Sequence, residues 1–177
     1  MQPERTIASR RVFEGRLIGV RVDTVALPNG REASREVVEH PGAVGILAWD
    51  GERLALVRQW RHPAGRALLE IPAGTIDPGE MALNTARREL AEECGLAAAS
   101  WEPGPAFYTA PGFCTERLSL FLATALRPSQ VATPEDEELE GSWMTLPETL
   151  AAVDAGEIAD AKSVAGVLWL ARRLATG

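Results

Sequence analysis

Over the first forty residues apolar and polar positions alternate in short stretches. Residues 11–20 and 21–27 read as strands, Asn29-Gly30 is the strongest turn signal nearby, and residues 34–40 read as a third strand. Such a section forms a small antiparallel sheet. It is too small to bury a core alone, so it must pack on the rest of the chain or on another subunit. His40-Pro41-Gly42 punctuates the pattern and predicts a division into an N-terminal sheet subdomain, 1–41, and a larger domain, 42–177.

Beyond that point the runs become more apolar. Residues 43–49 and 53–60 flank Asp50-Gly51, a second hairpin signal, and both are apolar enough for central strands. A further short strand, 67–71, ends at Pro72. From 80 to 94 the Ala/Leu/Arg/Glu content predicts a helix that starts after Pro78 and stops at Gly95. Strand-like segments follow at 100–109 and 117–125, then a polar loop, 127–138, and a strand-like 139–146. Two helices close the chain, 147–155 and 160–175, the second with Val164, Val167, Leu168, Ala171 and Leu174 on one face. The expected architecture is α+β, a mixed central sheet covered by helices.

With 177 residues, 46% hydrophobic and 24% charged, the chain suits one globular domain with at most a small appendage, and disordered or fibrous classes are excluded. The net charge of −7 is unevenly spread. Residues 1–66 carry 11 Arg against 8 acids, whereas residues 67–177 carry 7 basic groups against 17 acids. No basic stripe is available to displace counterions from a phosphate backbone, which argues against nucleic acid as a partner. The longest apolar runs fall under half of the roughly 20 residues a membrane span requires. The N-terminus lacks an apolar secretory core, so a cytoplasmic location without membrane association is expected. Cys94 and Cys114 make no disulfide framework or zinc spacing, and His40 and His62 suggest neither a metal centre nor a triad. Seventeen of the basic residues are Arg; the exception is Lys162.

Glu89, Glu92 and Glu93 stand at i, i+3 and i+4 of the predicted helix, so three carboxylates project from one face. Considered alone, such a run reads as a solvated face. Hard divalent cations with oxygen ligands relieve the repulsion, and Mg²⁺ is the usual choice for carboxylates with substrate phosphates. The wider segment decides between these. Gly74, five residues, Glu80, seven residues, then Arg88-Glu89-Leu90-Ala91-Glu92-Glu93-Cys94-Gly95-Leu96 matches every fixed position of the 23-residue pattern of Nudix hydrolases, and the chain resembles that family. The resemblance implies a Nudix-type α/β/α sandwich in which a loop-helix-loop carries two or three Mg²⁺ or Mn²⁺ ions and a nucleoside diphosphate derivative is hydrolysed. It makes Glu89 and Glu93 the principal metal ligands, with Glu92 supporting a further ion directly or through water. Glu80 and Arg88 would position the loop through a salt bridge, Gly74 would make a turn before the helix, and Gly95 would cap its end.

Outside the motif, the chain resembles the ADP-ribose pyrophosphatase branch. Ala110-Pro111-Gly112-Phe113-Cys114-Thr115-Glu116 is similar to that branch's Ser-Pro-Gly-x-x-x-Glu loop, with Ala110 in place of Ser. This implies sugar contacts from Pro111, Gly112 and Glu116. Leu69-Glu70-Ile71-Pro72-Ala73-Gly74 resembles the branch's lead-in to the motif, which gives the Ala73 carbonyl to a metal and Glu70 to a metal, water or substrate nearby. Gln59-Trp60-Arg61 is similar to the branch's Gln-aromatic-Arg, with Trp where Tyr or Phe is commoner, and the resemblance implies that Arg61 holds the diphosphate. Arg35 occupies the place of an arginine set against the adenine or its neighbours, commonly from a partner subunit. The base that activates water would come from Glu135-Asp136-Glu137-Glu138-Leu139-Glu140; the alignment selects Glu137, with Glu138 the alternative. The implied activity is hydrolysis of ADP-ribose to AMP and ribose 5-phosphate by a homodimer. Another nucleoside diphosphate sugar, such as GDP-mannose, and a non-catalytic ADP-ribose sensor are the alternative readings.

Overall fold

The computed structural model describes residues 2–129 and 139–176; of these, 2–42 with 108–117 form one compact unit, and 43–107 with 118–129 and 139–176 form another. In the first unit β1 (Arg5–Glu14), β2 (Gly19–Ala26) and β3 (Glu32–Glu39) make an antiparallel sheet in that order. The single strand expected over 11–20 is broken: Gly15 N–H donates to the Ile18 carbonyl at 2.9 Å and reverses the chain, so β1 begins earlier and β2 starts at Gly19. Asn29-Gly30 makes the second turn as expected, with Gly30 at φ 81° and Asn29 Oδ1 accepting from Arg31 N–H at 3.1 Å. Residues 108–117 join this unit, where Val38 N–H donates to the Phe113 carbonyl and Thr115 N–H to the Val38 carbonyl. The sequence pattern held no sign of that pairing.

The second unit is built on β4 (Ala43–Ala48), which lies between β7 (Ala73–Thr75) and β9 (Arg117–Pro128), with β8 (Leu96–Tyr108) beyond β9. β4 runs parallel to β9 and antiparallel to β7, so the sheet is mixed. A second sheet places β5 (Arg53–Arg61) between β10 (Glu140–Thr145) and β6 (Arg66–Glu70). Every residue of β4 is buried, and its side chains alternate between two cores. Leu47 packs with Leu56, Ile71, Leu120, Val167 and Leu170. Val44, Ile46 and Ala48 pack with Ala86 and Leu90 of α1 (Ala82–Cys94). The sheet is thus covered by α1 on one face and by α2 (Leu146–Asp154) and α3 (Ala161–Ala175) on the other, the expected α/β/α sandwich.

Two expectations need correction. Asp50-Gly51 does form a tight turn, with Asp50 Oδ1 accepting from the N–H groups of Glu52 and Arg53 at 2.8 and 2.6 Å. The strands it joins share only the bridge between Trp49 and Leu54 and then enter different sheets. Both are apolar on both faces, so neither had to be used as half of a local hairpin. On α3 the buried positions are Ser163, Gly166, Val167 and Leu170, while Leu168 is 51% and Leu174 43% exposed. Gly166 allows this, since a Cβ there would press on Ile71 and Leu47. Among the described residues no helix is long and apolar enough to cross a membrane.

Candidate active site

The loop before α1 turns at Gly79, φ 82°, and Glu80 N–H donates to the Asp77 carbonyl at 2.9 Å. The helix starts at Ala82, two residues later than expected, behind the extended N-cap Met81, which supplies no side-chain cap. Glu80 therefore stands outside the helix and reaches back to it, accepting from Thr85 Oγ1 at 2.9 Å and from Arg88 Nη2 at 3.2 Å. At the far end Gly95, φ 62°, donates to the Ala91 carbonyl, the left-handed C-cap expected of it.

Arg88 is the hub of this loop. Its Nη1 donates to Glu89 Oε1 at 2.6 Å and Glu92 Oε2 at 3.0 Å, and its Nη2 also reaches the Thr75 carbonyl at 3.4 Å. Burial opposes its charge, yet the carboxylates of Glu80, Glu89 and Glu92 outweigh that and raise its pKa further. Hydrogen bonding from Arg88 likewise holds Glu80 below the ordinary carboxylate range. One guanidinium thus ties three of the four motif glutamates together.

Glu93 is anchored separately, accepting from Ala73 N–H at 2.9 Å. Gly74 has another role than the turn expected of it. It lies within β7, paired with Val44, and a Cβ there would overlap the Glu89 carboxylate and its Cγ. Gly74 is the seat in which Glu89 rests. Cys94, which follows Glu93, has its thiol pKa pushed up to about 12, mainly by burial and further by the charge of Glu93, which disfavours the nucleophilic thiolate.

No group of three or more His, Cys, Asp or Glu side chains among the described residues is gathered for a metal ion. The chemistry of the donors nevertheless fits a hard divalent cation. Glu89, Glu92 and Glu93 offer oxygen only, Glu89 lies about one helical turn before the other two, and the cradle at Gly74 leaves room for Glu89 beside the Ala73 backbone.

Arg61, at the end of β5, makes a bidentate pair with Glu70 at the end of β6: Nε to Oε1 and Nη2 to Oε2, both 2.8 Å. Glu70 is 1% exposed, and Lys162 Nζ also donates to its Oε2. Burial opposes the Glu70 charge, but Arg61 and Lys162 prevail and hold its pKa low. Lys162 and its neighbour Asp160 were not among the candidates from sequence, although the solitary lysine was a signal.

In the first unit a cavity of about 380 Å³ brings Arg35 together with Pro111, Gly112, Phe113 and the buried Asp23. Arg35 donates to Glu4 through Nε and Nη2 and to the Ser34 carbonyl through Nη1. Glu116, at the end of the same loop, accepts from Thr109 Oγ1 at 2.6 Å and lies 3.7 Å from His40 Nδ1. Glu137 and Glu138 lie outside the described residues.

The NUDIX domain matches residues 39–165, and the nucleoside diphosphate sugar hydrolase N-terminal domain matches residues 4–38. The chain belongs to the Nudix hydrolase family. It is 41% identical to an ADP-ribose pyrophosphatase of Bacillus subtilis over 170 residues, covering 94% of this chain and 92% of that protein. It is 39% identical to a methanol dehydrogenase activator of Bacillus methanolicus, with the same coverage. A crystal structure of an ADP compounds hydrolase shares the fold, with a TM-score of 0.89 at 23% identity over 99% of this chain and 96% of that one.

Proposed function

We propose that this Nudix enzyme hydrolyses the diphosphate of ADP-ribose, with Mg²⁺ or Mn²⁺, to AMP and ribose 5-phosphate. The observation that carries the reading is the helix face of Glu89, Glu92 and Glu93, with Glu89 seated at Gly74 and Glu93 tied to Ala73. Two relatives of nearly equal identity carry different names, so the substrate is argued from side chains. Glu89, Glu93 and the Ala73 carbonyl would hold the metal, with Glu92 supporting a further ion, two or three in all. Bound there, the ions would stabilise charge on the phosphate oxygens and lower the pKa of a bound water.

The chain's own groups do the rest. Two of the five Arg61 N–H donors point at Glu70; the side chain is 39% exposed, and the remaining donors would take a phosphate. Glu70 fixes that guanidinium. Arg35 and Asp23 line a cavity of a size that suits the base or its ribose, and the loop of Pro111, Gly112 and Glu116 offers a carboxylate to sugar hydroxyls. Glu137 is the base for the attacking water, with Glu138 as its alternative. The N-terminal sheet serves dimerisation and substrate contact in a cytoplasmic homodimer.

A panel of nucleoside diphosphate derivatives with Mg²⁺, hydrolysed in ¹⁸O-water, tests the reading. ADP-ribose should be preferred over GDP-mannose, with the label in a product phosphate. Glu93→Gln should reduce kcat by on the order of a hundredfold or more, about 3 kcal/mol of lost transition-state stabilisation, while leaving the fold intact. Near-normal turnover by that variant would remove the metal assignment.

A further inference from the structure

Lys162, the one lysine among 18 basic residues, lies in the first turn of α3 with its side chain 12% exposed. Its Nζ donates to Asp160 Oδ1 at 2.8 Å and to Glu70 Oε2, the same oxygen that accepts from Arg61 Nη2 at 2.8 Å. One buried carboxylate oxygen thus serves two cations, while Arg61 keeps Oε1 through Nε. Asp160 is fixed in turn as the cap of α3, its Oδ1 accepting from Ser163 N–H at 3.1 Å, and its Oδ2 is buried with no partner among the described residues.

The hydrogen-bonded groups balance in charge, Arg61 and Lys162 against Glu70 and Asp160, and the Glu93 carboxylate adds a further negative charge felt by Arg61. Removing Lys162 would leave two carboxylates to draw on one guanidinium, and Arg61 would be pulled toward them and away from a ligand. We propose that Lys162 is a positioning residue which, by sharing Glu70 with Arg61, aims the remaining Arg61 N–H groups at a phosphate of the diphosphate substrate. The inference rests on the reading of Arg61 as a phosphate ligand. A lysine suits the role where another arginine would not. A tetrahedral ammonium can bond two carboxylates lying in different directions, whereas a second planar guanidinium would take both Glu70 oxygens as a fork and displace Arg61.

The test is a double-mutant cycle of Lys162→Met and Lys162→Arg with Arg61→Ala, reading kcat and KM for ADP-ribose with Mg²⁺ and the melting temperature of each protein. Both Lys162 variants should raise KM on the order of tenfold with kcat changed less than about threefold, and neither should raise the KM of Arg61→Ala further. A Lys162→Arg protein with unaltered KM would make Lys162 a mere charge and overturn the sharing. Additive effects in the Arg61→Ala background would overturn it as well. Lys162→Arg keeps the charge and carries the test if Lys162→Met does not fold. Failure of the unaltered protein to hydrolyse ADP-ribose would sink the functional reading instead. The same proteins would then be compared for inorganic pyrophosphate binding by calorimetry. The same pattern in Kd supports the role; pyrophosphate bound equally by Lys162→Arg and the unaltered protein, or not bound at all, overturns it.

Discussion

Two glycines of the same motif do different work, and the difference can be measured because only one of them has a neighbour where its side chain would be. A Cβ at Gly95 meets open space, so its requirement is the left-handed backbone alone, φ 62°. Gly95→Ala should cost about 1–2 kcal/mol in a urea titration and leave most turnover. A Cβ at Gly74 overlaps the Glu89 carboxylate, so Gly74→Ala must expel Glu89 from its seat. The expected result is a stability loss of about 1–3 kcal/mol, as for other overpacked sites, together with a fall in kcat on the order of a hundredfold. Turnover of Gly74→Ala equal to that of Gly95→Ala would show that the position of Glu89 is immaterial. The spacing of the two glycines was plain in the sequence. Their separate reasons were not, because the contact that constrains Gly74 comes from a side chain fifteen residues further along.

At the level of elements, the lead-in to the motif is held from the far end of the chain. Ile71 N–H, at the exit of β6, donates to Ser163 Oγ in the first turn of α3 at 2.9 Å, and both groups are buried. Ser163→Ala would leave that N–H without a partner. A loss of about 1–3 kcal/mol is expected in the urea midpoint, with KM rising through the adjacent Glu70 and Arg61. An unchanged midpoint would mean that another group satisfies Ile71. Most element positions were legible beforehand, α1, α3 and β4 to β6 among them, since each carries a strong period or a capping signal. What could not be read was pairing across distance. The Asp50 turn looked like a hairpin because turn chemistry is local, but the choice of β9 for β4 and β10 for β5 is made by burial of the whole sheet. The buried face of α3 was misjudged for a related reason: Ser163 and Gly166 are polar or featureless in a hydrophobicity pattern, yet they face the core through a specific hydrogen bond and a close approach.

For the whole molecule, the charge division acquires a chemical meaning. The acidic part of the chain holds the glutamate face proposed to bind metal, and the arginine-rich part holds Arg35 and Arg61. Within the first unit, β1 is exposed along all ten residues, and Ile7, Val12 and Phe13 are 45%, 45% and 53% exposed on an edge strand. These three apolar side chains stand among Arg5, Arg10, Arg11 and Glu14 on an edge that has no strand beyond it among the described residues, and they offer a contact surface for the second chain of the proposed homodimer. If Arg35 reaches a site whose carboxylates belong to the other subunit, two defective chains can repair each other. Arg35→Ala keeps a sound metal face, and Glu93→Gln keeps a sound arginine, so a mixed dimer would contain one complete site and one doubly defective one. Random assortment makes half of the dimers mixed, and coexpression of the two variants should therefore restore about a quarter of the unaltered activity, well above either variant alone. Light scattering should give the mass of two 19.0 kDa chains for each preparation. Dimers without restored activity would place Arg35 in the site of its own chain.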